Sequence, residues 1–261
     1  MLKSLNTAAT GMQAQQNNMD TIANNLANVN TTGFKKSRAE FEDLMYQTTK
    51  EPGSATGINS ITPTGVQTGL GVRTASIQKD FSIGSAVVTK NPLDLQIEGS
   101  GFFKVLSADG EVAFTRDGSF KKDPSGKIVD KNGNVLQPEI TIPADASGVD
   151  IAPNGEVKII KNPSEMPQTI GNIDIVNFVN PAGLKSMGKN LFMQSGASGQ
   201  PVSTRPGLNG TGFIAQGQIE ASNVNIVDEM VSMITAQRAY ETNSKVIQAS
   251  DQMLQSVNNL R

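Results

Sequence analysis

The chain of 261 residues contains no cysteine and no histidine. Without cysteine it can form no disulfide and no thiolate metal site, and without histidine it lacks the commonest general base and metal ligand. Tryptophan is absent and aromatic residues make up only 5% of the chain, which leaves little material for stacking nucleic-acid bases. A net charge of −2 gives no basic excess for binding nucleic acid. These absences argue against the common catalytic classes and against a nucleic-acid partner.

Long apolar runs are missing too. No stretch approaches the roughly 18 uncharged apolar residues of a membrane-spanning helix, so we expect no membrane insertion. The first residues, Met1–Asn6, show neither a continuous apolar segment nor a small-residue cleavage site. We therefore expect no cleaved signal peptide, and any export from the cytoplasm would use another route.

Motifs for catalysis or cofactor binding are equally scarce. The segments Gly99–Gly101 and Gly210–Gly212 lack the third glycine and the βαβ context of a dinucleotide fingerprint, so we interpret them as turns. The adjacent carboxylates Asp228 and Glu229 are interpreted as charges at a helix N-terminus. The sequence therefore predicts no enzyme, no cofactor and no metal site.

Apolar residues recur every seven positions at both ends of the chain. A heptad repeat places one narrow apolar stripe along a helix, and that stripe must be buried against another helix. The sequence therefore predicts two long terminal helices that pack together as in a coiled coil. The residues of the two repeats and their apolar neighbours form the predicted assembly interface: Leu5, Met12, Met19, Ile22, Leu26, Val29, Ile226, Met230, Met233, Ile234, Tyr240, Ile247 and Leu254. An ordinary intramolecular helical hairpin is the alternative.

The expected helices extend from about Ser4 to Val29 and from Ile226 to about Asn259. Gly33 suits the left-handed residue that follows a helix, although an earlier end near Asn28 is also compatible with the sequence. The first helix is poor in charge and rich in asparagine and glutamine. Amides suit a helix pressed between protein neighbours, because they form hydrogen bonds without burying a charge.

The middle of the chain reads differently from its ends. Between residues 73 and 222, short β-rich runs alternate with Asp-Gly and Asn-Gly dipeptides, which are strong hairpin signals. Residues 47–71 are rich in proline and glycine and suggest an extended loop or hairpin. We predict an α+β protein in which long N- and C-terminal helices accompany an antiparallel all-β middle. The predicted domains are residues 1–33 with 223–261 (helical), 34–72 (connector) and 73–222 (β body, either one body or two subdomains with a seam near 138–143).

A specific motif lies at the end of the first predicted helix. Its residues are Ala23, Asn24, Asn25, Leu26, Ala27, Asn28, Gly33, Phe34 and Lys35. Shorter motifs follow in chain order at residues 97–103, 114–120, 207–210, 216–225, 230–234 and 237–241. Together they resemble the bacterial flagellar basal-body rod and hook proteins. Because residues 41–48 and the insertion after them look like those of the distal rod, that branch is favoured; the hook and the proximal rod are the alternatives.

This resemblance implies a structural subunit that polymerises helically through its terminal helices. It implies a place in the periplasmic distal rod, the drive shaft that transmits torque from motor to hook, and export by the flagellar type III apparatus. The implied partners are further copies of the chain, proximal rod proteins, the hook protein, the L- and P-ring proteins as a bushing, a rod cap protein and the export apparatus. A competing interpretation is a carbohydrate-binding or hydrolytic β module, which would need a concave polar cleft with converging carboxylates.

Overall fold

The computed structural model describes residues 2–53, 55–57, 60–61, 63–107, 110–161 and 166–259. Within these residues two α-helices lie at the ends of the chain, α1 (Leu2–Ala27) and α2 (Ile226–Asn259), and twenty-two short strands lie between them. The chain divides into two compact units. Unit 1 comprises Met1–Leu26, Ser37–Gln78 and Asn225–Arg261, and unit 2 comprises Ala27–Lys36 and Lys79–Val224.

In unit 1 the two terminal helices pack together in antiparallel directions. The Asn25 side chain donates a hydrogen bond to the Glu229 carboxylate at 3.2 Å. About four turns closer to the start of α1, a Cβ added to Gly11 would lie 3.0 Å from the side-chain amide of Asn243. This pairing, together with the β-rich middle, confirms the predicted fold class. Neither helix, over its described residues, has the length and apolar character needed to cross a bilayer.

The ends of the two helices match the ends predicted from the sequence, except that Gly33 does not directly follow α1. Asn225 caps α2 as its side chain accepts a hydrogen bond from the Val227 amide at 3.1 Å. The first helix ends at Ala27, which matches the earlier of the two predicted ends. Gly33 is left-handed, with φ of 67°, but it is not the cap, because the chain leaves the helix several residues before it. Its amide donates instead to the Glu220 carbonyl at 2.8 Å.

Six strands follow α1. All of their residues belong to unit 1 except Lys79, the last residue of the sixth strand, which belongs to unit 2. They are β1 (Ser37–Asp43), β2 (Tyr46–Lys50), β3 (Ala55–Gly57), β4 (Ser60–Ile61), β5 (Val66–Gly69) and β6 (Val72–Lys79). β1 pairs with β6, while β2 with β5 and β3 with β4 form antiparallel pairs. The proline- and glycine-rich segment is thus a hairpin. α1 lies against the β1–β6 ladder, where the Asn17 amide donates to the Thr74 hydroxyl at 3.0 Å.

Unit 2 contains the remaining strands and one 3-10 turn at Pro181–Gly183. The strands are β7 (Ala86–Val88), β8 (Leu95–Glu98), β9 (Phe102–Leu106), β10 (Val112–Thr115), β11 (Lys121–Lys122), β12 (Ile128–Val129), β13 (Val135–Gln137), β14 (Gly148–Ile151), β15 (Glu156–Ile160), β16 (Gln168–Asn172), β17 (Ile175–Asn177), β18 (Lys185–Gly188), β19 (Leu191–Met193), β20 (Val202–Thr204), β21 (Phe213–Gln216) and β22 (Gln218–Glu220).

These strands form one large sheet and several small ones. The large sheet has the order β11-β12-β13-β9-β10-β19-β18, and β17, which pairs with both β9 and β20, joins it. β14, β15 and β16 form a three-stranded sheet, and β8 with β21 and β7 with β22 form two-stranded ones. Every strand register in unit 2 is antiparallel, from β7–β22 to the central β9 pairs. The hairpin signals in the sequence predicted the antiparallel pairing but not the order of the strands.

The core of unit 2 lies between these sheets and follows the two-residue period of the strands. In β15, Val157 and Ile159 are buried, whereas Glu156 and Lys158 on the opposite face form an ion pair at 3.3 Å. The same apolar cluster extends across the chain from Leu95 to Ile214 and includes residues on both sides of 138–143. A second cluster is aromatic, with edge-to-face ring pairs whose centroids lie 4.8 to 6.0 Å apart.

Candidate assembly interface

Helical periodicity sorts the residues of α1 onto three faces. One face meets α2 at Gly11 and Asn25, and the buried Ile22 lies on it. A second face meets the β1–β6 ladder and carries Asn17 and the buried Thr21. The third face is exposed and consists of small, amide and acidic residues: Asn6, Ala9, Gln13, Gln16, Asp20, Ala23 and Ala27.

The predicted apolar stripe of α1 runs between the α2-facing side and the exposed side. Its four heptad residues are half-buried: Leu5, Met12, Met19 and Leu26. Of its two predicted neighbours, Ile22 is buried in unit 1 and Val29 is half-buried in unit 2. Because the chain covers this stripe only in part, a second polypeptide has apolar surface to cover there.

The predicted stripe of α2 is turned toward α1. Met233, Ile247 and Leu254 are half-buried on the side that carries Asn243, and Tyr240 on that side remains 37% exposed. Small side chains complete this face, since Ala236 and Ser250 are buried. The heptad residues of α2 therefore form the pairing of the two helices within one chain.

The opposite side of α2 is apolar and uncovered at its N-terminal end. We define the exposed α2 stripe as Val227, Met230, Val231 and Ile234, whose exposures are 66%, 51%, 56% and 49%. Ile226 beside it is 46% exposed. Two predicted interface residues, Met230 and Ile234, thus lie away from α1, whereas Ile226 lies one heptad before Met233 and on the same side of α2 as that residue. Val227 and Val231 were missed from the sequence, although each precedes a predicted residue, Met230 or Ile234, by three positions, which was a readable signal.

Within the motif of residues 23–35, Asn25 joins three elements of unit 1. Its amide nitrogen donates to the Ser37 carbonyl at 2.8 Å as well as to Glu229, and its amide oxygen accepts from the Ser37 amide at 2.8 Å. The side-chain amide of Asn25 thus uses both its donor and its acceptor on the backbone of one residue, Ser37. The other motif residues divide by exposure: Gly33, Phe34 and Lys35 are buried, Leu26 and Asn28 are half-buried, and Ala23, Asn24 and Ala27 are exposed.

Lys35 belongs to a buried ion triad in unit 2, which comprises Lys35, Glu220 and Arg116. The Lys35 ammonium donates to one Glu220 oxygen at 2.5 Å and to the Ser82 carbonyl at 2.6 Å. Arg116 approaches the other Glu220 oxygen at 3.3 Å and donates to the Gly99 carbonyl at 2.7 Å. Burial lowers the pKa of the Lys35 ammonium, and the charge of Glu220 opposes that shift. The sequence placed Lys35 in a motif but did not indicate its partners.

A second buried carboxylate in unit 2, that of Asp117, holds the segment between α1 and β1. Asp117 accepts hydrogen bonds from the Thr32 hydroxyl at 3.1 Å, the Ser119 hydroxyl at 2.7 Å and the Lys131 ammonium at 2.5 Å. Burial raises the pKa of this carboxyl, but the bonds from Lys131 and Ser119 outweigh it, so the pKa lies below 3.8. The residues between α1 and β1 are therefore fixed in unit 2 by two separate charged groups.

No group of three His, Cys, Asp or Glu side chains that could hold a metal ion occurs among the described residues. A cleft of about 540 Å³ in unit 2 is lined by Lys104, Glu111, Val112, Phe114, Val176, Met193, Gln194, Pro201 and Ser203. Glu111 is the one carboxylate in that lining, whereas glycoside hydrolysis uses a facing pair. The cleft does not support the hydrolytic interpretation.

Paired terminal helices with an uncovered apolar stripe, on a β-rich chain, are features of a structural subunit that assembles through its helices. Three family models match the chain in order: the flagella basal body rod protein at residues 5–35, the flagellar hook protein FlgE/F/G D1 domain at 96–159, and the flagellar basal body rod FlgEFG protein C-terminal at 215–260. These matches include the motif at residues 23–35 and the exposed α2 stripe.

Full-length relatives define the branch of the family. The chain is 49% identical over 263 residues to the flagellar basal-body rod protein FlgG of Borreliella burgdorferi, covering 100% of this chain and 99% of the relative. It is 46% identical to FlgG of Caulobacter vibrioides and 40% identical to FlgG of Bacillus subtilis, each over 100% of both chains. The chain belongs to the FlgG family of flagellar basal-body rod proteins and is a structural subunit of the distal rod.

This membership confirms the predicted family, its distal-rod branch and the structural, non-catalytic role in motility. It places the chain in the flagellar basal-body rod and implies assembly with related axial proteins of the rod and hook. The hook and proximal-rod alternatives receive no comparable support from these relatives, all three of which carry the FlgG name.

Proposed function

We propose that copies of this chain polymerise helically through their terminal helices into a straight shaft across the periplasm, which transmits torque from the motor to the hook. The observation that carries this proposal is the exposed α2 stripe, whose four side chains are each about half exposed or more. Burying such a side chain contributes about 1.5–3 kcal/mol at full burial, so covering the stripe with another copy stabilises an assembly.

The predicted interface then has two roles. Met233, Tyr240, Ile247 and Leu254 set the helix pairing within one copy, and the half-buried stripe of α1 with Ile226, Met230 and Ile234 meets neighbouring copies. Ile22 supports the α1 side of this surface, while Val29, the remaining predicted residue, belongs to unit 2. Residues 1–33 with 223–261 act in this proposal as the helical assembly domain, residues 34–72 as the connector and residues 73–222 as the β body.

The finer partners belong to the same proposal. The shaft joins proximal rod proteins at one end and the hook protein at the other, turns within the L- and P-ring proteins, is assembled beneath a rod cap protein, and receives subunits from the type III export apparatus. Passage through that apparatus is compatible with two long terminal helices, because most helical stability in proteins comes from packing, and such helices gain order when neighbouring copies cover them.

The β2–β5 hairpin gives the shaft its stiffness in this proposal. Its strand residues Tyr46–Lys50 are exposed along their whole length, and Val66 is 54% exposed. A hairpin with so little covering surface from its own chain suits a position across neighbouring copies, where it would resist bending.

Electron microscopy of polymers assembled from the purified full-length chain tests the proposal. Straight rods of constant diameter, absent from a preparation of Ile234→Asp, are the expected result. Curved hook-like polymers would contradict the shaft, and a chain that stays monomeric at high concentration would contradict polymerisation through the helices.

A further inference from the structure

Asp20 is an isolated carboxylate on the exposed face of α1. It is one of only two charged residues in that helix, the other being Lys3. Among the described residues it has no hydrogen-bond or ion-pair partner, whereas both glutamates of the adjoining strand β1 do: Glu40 pairs with Arg38 and Glu42 with Arg73. The exposed face of α1 carries no other charge and therefore presents one uncompensated anion.

A groove of about 350 Å³ in unit 1 opens beside this carboxylate. It is lined by Asn17, Asp20, Thr21, Asn24, Ser37 and Ile77. The lining contains an anion, amides and hydroxyls but no cation, and the Ile77 side chain is 55% exposed at its edge. Such a lining matches an arginine, whose planar guanidinium donates to a carboxylate in a fork while its aliphatic stem packs on apolar surface.

The ion pairs of the chain's arginines show which of them is free to supply that guanidinium. Arg38, Arg73 and Arg116 each pair with a glutamate. Of the arginines that the structure describes, only Arg205 and Arg238 have no acidic partner. Arg205 lies in unit 2, whereas Arg238 is exposed on α2.

Arg238 continues the exposed α2 stripe, because it follows Ile234 by four residues and Val231 by seven. At about 100° per residue it lies roughly 180° around α2 from Glu229, which faces α1. Asp20 likewise lies roughly 180° around α1 from Gly11, which faces α2. The two unpaired charges are thus on the far sides of the helix pair and cannot meet within one copy.

We propose that Arg238 of one copy binds in the Asp20 groove of a second copy, and that the exposed α2 stripe packs on the small residues Ala23 and Ala27 beside that groove. This inference rests on the proposed function and specifies its helix contact. Since the two surfaces differ and lie on opposite sides of the helix pair, the contact is heterologous. Repetition of a heterologous contact generates a ring or an open helix rather than a closed dimer.

A charge exchange tests the pair in the full-length chain. Asp20→Arg and Arg238→Asp should each raise the critical concentration for polymerisation by about tenfold or more, because each brings two like charges together. The double variant Asp20→Arg/Arg238→Asp restores opposite charges and should return that concentration to within about threefold of the natural chain. Arg205→Asp, with the same change of charge in unit 2, is the matched control and should assemble normally.

The absence of natural cysteine provides a second, independent measurement. When Asp20→Cys and Arg238→Cys copies are mixed, assembled and oxidised, disulfide-linked dimers should form; neither variant alone should give them. Gln13→Cys mixed with Arg238→Cys is the control and should give no such dimers, because residue 13 lies on the same face of α1 as residue 20 but two turns away from it.

The outcomes separate this contact from the proposed function. Single charge variants that assemble normally, or a double variant that stays defective while no mixed disulfide forms, would overturn the contact even if the natural chain forms straight rods. A natural chain that forms no polymer would overturn both proposals. Circular dichroism of each variant checks that its helices are intact.

Discussion

Lys35 and Glu220 form an ion pair of 2.5 Å although 185 positions separate them, and their side chains are 0% and 1% exposed. One lies just after α1 and the other just before α2, so the pair joins the two segments of unit 2 that continue into the terminal helices. Arg116 and the Gly84 amide complete the hydrogen bonding of Glu220.

Replacing Lys35 should therefore be costly. Lys35→Met leaves the Glu220 carboxylate buried with one cation fewer, and we expect the free energy of unfolding to fall by about 3–5 kcal/mol. Urea denaturation of the full-length chain, followed by circular dichroism, measures this change. Lys36→Met is the control, because Lys36 pairs with Asp80 at 3.7 Å with both side chains more than a third exposed, and its loss should cost under about 1 kcal/mol. Equal losses in the two variants would contradict a structural role for the triad.

Asp117 should make stability depend on acid pH. Its folded-state pKa lies below 3.8, the usual value, so the unfolded chain binds a proton more readily than the folded one. The stabilisation is fully present above about pH 4 and is lost as the pH falls through the folded pKa. The difference in unfolding free energy between the natural chain and Asp117→Asn should hold from pH 7 to about pH 4 and narrow below it. A difference that does not change down to pH 2 would contradict this.

Gly33 should tolerate no side chain. Its φ is 67°, and a Cβ there would lie 2.6 Å from the backbone nitrogen of Asp117, which cannot move aside as a flexible side chain would. We expect Gly33→Ala to lower the thermal unfolding temperature of the chain markedly more than Gly133→Ala. Gly133 has a φ of 86° but nothing within 4 Å of its added Cβ, so its alanine carries only the backbone cost of about 1 kcal/mol. Equal shifts would indicate that the close approach to Asp117 does not matter.

The two sides of α2 should respond differently to a charge. Ile234→Asp alters the exposed α2 stripe and should abolish polymerisation while the helix content of the monomer is unchanged. Met233→Asp places its charge against α1, so it should block polymerisation and also reduce helix content. Sedimentation and circular dichroism measure the two effects, and the β body should remain folded in both variants. Normal polymer yield from Ile234→Asp would contradict the assigned outer surface.

The hairpin should control the shape of the polymer. Residues 51–65 can be replaced by an Asn-Gly turn, because Lys50 pairs directly with Val66 and a two-residue turn can join them. We expect the shortened chain to form curved or flexible polymers, and electron microscopy would reveal them. Replacing Asn132-Gly133 by Asp-Gly, which keeps a tight turn in unit 2, is the control and should leave rods straight. Straight, unchanged rods from the shortened chain would remove the stiffening role of the hairpin.

Local sequence patterns predicted the helices and hairpins better than they predicted which strands pair with one another. The heptads identified both helices because their period is a property of neighbouring residues, and Asn225 and the Asp-Gly and Asn-Gly dipeptides marked a helix start and several hairpins. The central position of β9, which pairs with β10, β13 and β17, was not predicted. Strands of similar composition compete for each position in a sheet, and no local signal ranks them.

The assembly surface was predicted only in part for a related reason. Met233 and Ile234 are neighbours in the sequence and both apolar, and both were assigned to one interface. In the structure the first turns toward α1 and the second away from it. Periodicity fixes the angle between two side chains around a helix but not the direction from which the partner arrives.

The sequence by itself determined that this chain has two long terminal helices, a β-rich middle and the motifs of the flagellar rod family, since all three are encoded in spacing along the chain. Only the tertiary structure decided that Lys35 meets Glu220, that the heptads of α2 pair with α1 of the same copy, and that Asp20 and Arg238 remain unpaired on opposite sides. Burial and charge pairing depend on which distant segments come together, and that is settled by packing of the whole chain.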